Sequence, residues 1–256
     1  MISIRNLKKC FGKKQVLKGL SLDVAEGEIL VILGRSGVGK SVLLKHIIGI
    51  EKPDEGTVDV GGVRISDLTQ KQLYQAVKDM GMLFQGAALF DSMTIFENAA
   101  FHLRQHPNPK TGERYTEEMI KKKVTTALRM VGLEDEEQKM PANLSGGMRK
   151  RAGLARLLVY RPKIVLYDEP TTGLDPITSE QINELIVKTQ EELQGTSIVV
   201  THDIHSALYI ADRLALHQDG KIAYVAPPKD FLNIDDPTIK FLKNTLYNHP
   251  SARNNS

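Results

Sequence analysis

A chain of 256 residues with 41% hydrophobic and 25% charged residues has the make-up of an ordinary globular protein, which excludes a disordered, collagen-like or coiled-coil chain. Its 34 basic against 31 acidic residues give a net charge of +3, too balanced for an electrostatic grip on a nucleic-acid backbone, so no nucleic-acid partner is expected. The single cysteine, Cys10, leaves no internal disulfide and the opening MISIRNLKKC shows no apolar leader, which together fit a reducing cytoplasm. The longest apolar runs, near 29–34 and 163–170, fall far short of the ~20 residues that cross a bilayer.

In chain order, the alternation in Met1-Ile2-Ser3-Ile4 and again from Val16 to Val24 predicts half-exposed antiparallel strands. Glu28 to Leu33 is instead continuously apolar, the mark of a strand covered on both faces, and a helix from Lys40 to Ile50 follows at once. From about Gly86 to Pro162 the chain reads mostly helical. Two more buried strands, Ile164 to Tyr167 and Ser197 to Val200, are each followed by helical periodicity, Thr178 to Glu192 and Ile204 to Ala211. Alternating strand and helix means a parallel sheet. The tail from Pro227 holds two short helical segments before SARNNS, which is expected to fray. The fold class expected is α/β: a mostly parallel sheet flanked by helices, with an N-terminal antiparallel β subdomain and an inserted helical lobe at 86–162. One domain is expected over 1–226, with a helical tail at 227–256.

GRSGVGKS, Gly34 to Ser41, fits G-x-x-x-x-G-K-[ST] and lies between a predicted buried strand and a predicted helix, the context this phosphate-binding loop requires. Its glycines let backbone N–H groups turn inward on a phosphate chain, and the helix N-terminus adds partial positive charge. Lys40 is placed to reach the β- and γ-phosphates and the Ser41 hydroxyl to ligate Mg²⁺. The nucleotide-binding set is therefore Gly34, Arg35, Ser36, Gly37, Val38, Gly39, Lys40, Ser41 and Val42. KIVLYDEP ends a second apolar strand in Asp168, a carboxylate for the metal directly or through water, and Glu169 follows where it can polarise a hydrolytic water. These motifs stop at a P-loop nucleotide hydrolase.

LSGGM, Leu144 to Met148, goes further. Ser145, Gly146 and Gly147, with Met148, precede a predicted helix and form a second anion site at a helix N-terminus. One loop already serves the nucleotide from its own side, so a second site needs a second face, and a head-to-tail dimer with ATP between the chains supplies it. At this point the sequence resembles the ATP-binding cassette family, in the family's order and along essentially the whole chain. The resemblance implies that Phe11 stacks on adenine, that Gln85 touches Mg²⁺ and senses the γ-phosphate, that Asp175 crosses the dimer interface, and that His202 sits near the γ-phosphate. Met148 stands where most cassettes carry Gln, and TTGLD replaces the more usual SALD wording.

FQGAALFDSMTIFENAAFHLRQH after Gln85, together with the Met148 variant, resembles the Mla-type lipid-transport branch. That resemblance implies phospholipid transport between two membranes, a homodimer or paired nucleotide-binding subunits, and a peripheral position at the cytoplasmic face of the inner membrane. The implied partners are an integral permease, an MCE-domain protein and a STAS-domain protein. Relatives in that branch more often carry Pro where this chain has His102. Alternatives are a small-solute importer, a lipoprotein-releasing cassette, a soluble iron-sulfur assembly ATPase, and a P-loop kinase, against which LSGGM argues. The apolar residues Ala87, Ala88, Leu89, Phe90, Met93, Ile95 and Phe96 mark a groove for a permease helix, with Phe96 above all expected in the core. The basic runs Lys121 to Lys123 and Arg149 to Arg151 are expected to be solvated helix faces.

Overall fold

The structure, a computed structural model, describes residues 2–109 and 111–247; the SARNNS end lies outside them. The chain forms two compact units, one comprising the residues up to Val77 with those from Thr196 onward, the other Lys78–Gly195.

In the first unit, β1 (Ile2–Phe11) and β2 (Lys14–Val24) pair antiparallel. The alternation does its expected work: Ile2, Ile4, Leu7, Leu20, Leu22 and Val24 are all buried. β3 (Ile29–Leu33) is buried at every position and leads through a loop into α1 (Lys40–Ile47), shorter than expected from the sequence. β4 (Glu55–Val60) lies antiparallel beside β1, and β5 (Val63–Arg64) beside β4. An exposed amphipathic α2 (Gln70–Val77) ends this first segment.

The second unit opens with β6 (Met80–Leu83), then α3 (Ile95–Gln105), α4 (Glu117–Met130), α5 (Gly146–Leu158), β7 (Ile164–Asp168) and α6 (Pro176–Leu193). β6 and β7 run parallel. Each of its four helices starts at a side-chain cap, Thr94, Thr116, Ser145 and Asp175, which satisfies an otherwise orphaned backbone N–H. Thr94 and Glu97 close a full capping box. Ile95, Ala99, Leu103, Ile120, Val124, Leu128 and Leu154 make the core of the three-helix lobe.

The chain returns to the first unit with β8 (Thr196–Thr201), α7 (Ile204–Ile210), β9 (Arg213–Gln218) and β10 (Lys221–Ala226). β8 and β9 flank β3 in parallel, while β10 pairs antiparallel with β9, so this sheet is mixed. α8 (Pro228–Phe231) buries Phe231 completely and α9 (Pro237–Tyr247) leans on α7. β4, β5, β6, β9, β10 and α2 were not read from the sequence. The reading of Phe96 also changes: Ile95, one residue earlier, is the core position, and Phe96 is half-buried because the helix turns it toward the rim.

Candidate functional site

The loop between β3 and α1, the candidate phosphate loop, is held in shape by close backbone approach. Gly34 donates its N–H to the Thr201 carbonyl (3.3 Å), and a Cβ there would come within 2.8 Å of the His217 carbonyl oxygen. Gly39 has φ of 111°, and a Cβ would meet Val16 Cγ1 at 2.6 Å, so only glycine fits without strain. Lys40 is 4% exposed, and its ammonium donates to the Gly34 and Arg35 carbonyls at 2.7 and 3.0 Å, closing the loop on itself. Arg35, Ser36 and Gly37 are exposed; Val38, Ser41 and Val42 are half-buried.

His202 follows β8 directly and is exposed. With Gly34, Arg35 and Ser36 it lines a cavity of about 440 Å³, whose other wall is Leu216 with Pro237, Thr238, Phe241 and Leu242 of the C-terminal helix. Phe11 is 46% exposed at the end of β1, with the Lys9 ammonium 5.5 Å from its ring centroid. His217 was not singled out from the sequence. It is buried in β9 with neither ring nitrogen hydrogen-bonded. Burial first, and the Lys40 charge second, push its pKa down to about 4, so it is neutral at physiological pH.

In the second unit Asp168 ends β7 and Glu169 follows it, with 7% exposure each. Glu169 adopts φ of 48°, a left-handed conformation unusual outside glycine. The Thr172 hydroxyl donates to Glu169 Oε2 (2.9 Å), and Lys150 Nζ donates to the Glu169 carbonyl oxygen (3.1 Å). This corrects the expectation of a solvated Arg149 to Arg151 run. Arg149 is exposed and donates to the Leu144 carbonyl (2.7 Å), but Lys150 is 5% exposed, because its place on α5 turns it toward the two carboxylates. Burial lowers the Lys150 pKa, while Asp168 and Glu169 act to raise it.

Gln85, exposed, starts a loop pinned by two residues that sequence reasoning missed. Arg156 donates to the carbonyls of Ala87 (3.0 Å) and Ala88 (2.7 Å), and both alanines take left-handed φ, 62° and 48°. The Asn98 side chain accepts from the Phe90 N–H (2.7 Å) and donates to the Phe90, Met93 and Thr94 carbonyls. Phe90 stays 41% exposed, its ring 4.7 Å from that of Phe101. Downstream, Ser145 caps α5 by accepting from the Met148 N–H (3.2 Å). Gly147 is buried, and a Cβ there would collide with the Thr178 methyl. Thr178 is itself tied to the Asp175 carboxylate through its N–H (3.0 Å) and hydroxyl (2.6 Å), so the LSGGM turn and the Asp175 turn form one packed patch. Met148 is half-buried.

Among known families, the ABC transporter family matches residues 17–172. The chain is 38% identical over 239 residues to the probable ribonucleotide transport ATP-binding protein mkl of Mycobacterium leprae, covering 93% of this chain and 67% of that protein. It is 41% identical over 232 residues to the methionine import ATP-binding protein MetN of Campylobacter jejuni, covering 87% and 69%. It thus spans about two thirds of the length of such relatives, 65% for the Mycobacterium tuberculosis mkl protein. A dimeric ATP-binding cassette solved in a post-hydrolysis state with ADP and Pi matches with TM-score 0.80 at 33% identity, over 89% of this chain and 99% of the other. The names of these relatives speak of ribonucleotide transport and methionine import, not of phospholipid, and in this the comparisons depart from the lipid branch expected from 84–106 and Met148. On a family match over residues 17–172, a shared fold and this identity, the chain belongs to the ABC transporter family, as one of its ATPases.

Proposed function

We propose that the chain is the ATP-hydrolysing subunit of an importer for a small solute, acting as a homodimer bound to an integral permease at the cytoplasmic face of the plasma membrane. The observation that carries this reading is the 38–41% identity, over most of the chain, to proteins named for transport and import. No helix among the described residues is long and apolar enough to cross a membrane, which agrees with a permease supplied by other chains.

Each residue has a task in this reading. The N–H groups of 34–41 and the α1 N-terminus hold the phosphates, and Lys40 exchanges its two carbonyl bonds for charge-assisted bonds to the β- and γ-phosphates. Ser41, Gln85 and Asp168 would each offer an ion an oxygen: a hydroxyl, an amide carbonyl and a carboxylate. That donor set fits Mg²⁺, which favours oxygen and takes few protein ligands beside the nucleotide. Bound with ATP, the ion would neutralise phosphate charge. Glu169 polarises the attacking water, His202 contacts the γ-phosphate, and Phe11 stacks on the base. Ser145 and Gly146, at the N-terminus of α5, with Met148 beside them, close on the ATP of the partner chain, and Asp175 meets the partner alongside them. Closure is passed from Gln85 through the pinned 85–94 loop to a permease helix docking near exposed Phe90.

The apolar 87–96 segment together with Met148 favours a second reading, an Mla-type phospholipid transporter. Copurification in mild detergent separates the two. A permease with a solute-binding protein supports import, and a permease with MCE- and STAS-domain proteins supports lipid transport. Recovery of neither set, with the chain remaining free of any permease, would overturn both.

A further inference from the structure

We propose that Lys150 is a positioning residue that links the signature end of α5 to Glu169 of the same chain, so that closure on the partner's ATP and readiness of the chain's own hydrolytic carboxylate are mechanically joined. The proposal deepens the ATPase reading and rests on the role given there to Glu169.

Burying an ammonium is costly unless it is paired and hydrogen-bonded. Lys150 is 5% exposed and faces the two buried carboxylates at the end of β7 and just after it, Asp168 and Glu169. Its ammonium donates to neither carboxylate but to the carbonyl oxygen of Glu169, at 3.1 Å. That peptide is the one that needs holding: Glu169 sits at φ of 48°, and a left-handed conformation costs a non-glycine residue stability that its surroundings must supply. Thr172 fixes the other end by donating to Oε2. The Glu169 backbone is therefore fixed from α5 and its side chain from the turn that follows. Lys150 lies five residues after Ser145, the cap of the same helix. A helix moves as a rigid body, so a shift of its N-terminus on engaging phosphate reaches the Glu169 carbonyl through the Lys150 side chain.

Lys150→Met keeps an unbranched chain of similar length but removes the donor. Lys150→Gln keeps an N–H donor without the charge. Both are measured as full-length protein for steady-state ATP hydrolysis, alone and combined with Glu169→Gln. Misplacing a catalytic group by about 1 Å costs up to roughly 100-fold. Lys150→Met is therefore expected to lower kcat about 10- to 100-fold with KM for ATP changed less than about twofold, and Lys150→Gln to recover part of the loss. Added to Glu169→Gln, either change is expected to lower residual turnover no further, because both act on one group. A wild-type kcat in Lys150→Met, a Lys150→Gln no better than Lys150→Met, or losses that multiply with Glu169→Gln overturn the proposal. If Lys150→Met does not fold, the same cycle is run with Lys150→Gln, and multiplicative losses there overturn it equally. A Glu169→Gln protein that hydrolyses ATP like wild type instead overturns the reading on which the proposal rests.

Discussion

In the unit that holds residues 34–42, the groups proposed to hold the phosphates are mostly backbone: N–H groups at a helix start, shaped by glycines at points of close approach, with a lysine folded onto the loop's own carbonyls. In the unit of residues 78–195, the groups proposed to act in hydrolysis and coupling are side chains and a loop whose positions depend on polar contacts, Lys150 on the Glu169 carbonyl, Thr172 on its carboxylate, and Arg156 and Asn98 on the loop after Gln85. A backbone cradle is specified by residues that are neighbours in sequence. A side-chain site is specified by residues far apart, and each contact is a separate place to break it. Substitutions in the first unit should therefore act on nucleotide binding, and those in the second on turnover.

The largest test of that division is Glu169→Gln. It removes a preorganised carboxylate while leaving the phosphate loop untouched, so hydrolysis is expected to fall by about 100-fold or more with ATP affinity retained, and the ATP-bound dimer to accumulate in size-exclusion chromatography. Near-normal turnover would break the comparison. Lys40→Ala is its counterpart. Loss of a charge-assisted contact costs about 1.5–3 kcal/mol, so ATP affinity measured by titration calorimetry is expected to weaken roughly 10- to 100-fold. Unchanged affinity would deny the loop its place as the binding half.

The same contrast explains what the sequence disclosed. The loop at 34–39 was legible because GRSGVGKS is contiguous and lies between strand and helix; β3 and α1 appear where the apolar run and its end predict them. Lys150 was misread as solvated because a basic run on a helix gives no sign of which member faces inward; that depends on β7, which ends 18 residues later. Arg156 and Asn98 were invisible for a similar reason, since their partners are backbone carbonyls and an N–H of a loop whose left-handed alanines carry no glycine signal. β9 and β10 were missed although RLALHQ and KIAYVA are strand-like, because the reading followed the α/β alternation and stopped at the last helix.

Acid offers a smaller effect that tests the two units separately. His217, beneath the phosphate loop, has its pKa lowered to about 4, chiefly by burial, against 6.5 for an ordinary histidine. Unfolded chains therefore take up its proton first. Stability is complete above pH 6.5 and is lost as the pH falls toward 4, about 2 kcal/mol of it by pH 5. His102, stacked 4.1 Å from the Tyr160 ring, is lowered to about 4 by burial and then by His106, so the second unit titrates in the same window. Urea unfolding across pH 7 to 5 is expected to show the loss shrink in His217→Leu, since neither ring nitrogen has a hydrogen bond to forfeit. An unaltered pH dependence would mean that His217 is not the group responsible.

The smallest expected effect concerns a cap. Thr94 accepts the Glu97 N–H at 3.2 Å and Glu97 accepts the Thr94 N–H at 2.8 Å. Thr94→Ala leaves the second bond but orphans the Glu97 N–H, at a cost of about 1 kcal/mol, which for a chain of this size lowers Tm by roughly 2–4 °C. The loop before α3 keeps its Asn98 and Arg156 ties, so the isolated chain is expected to bind ATP with unchanged affinity. A loss of affinity equal to that of Lys40→Ala, measured on folded protein, would show that the side-chain unit governs binding as well as turnover, and the division drawn between the two halves would fall.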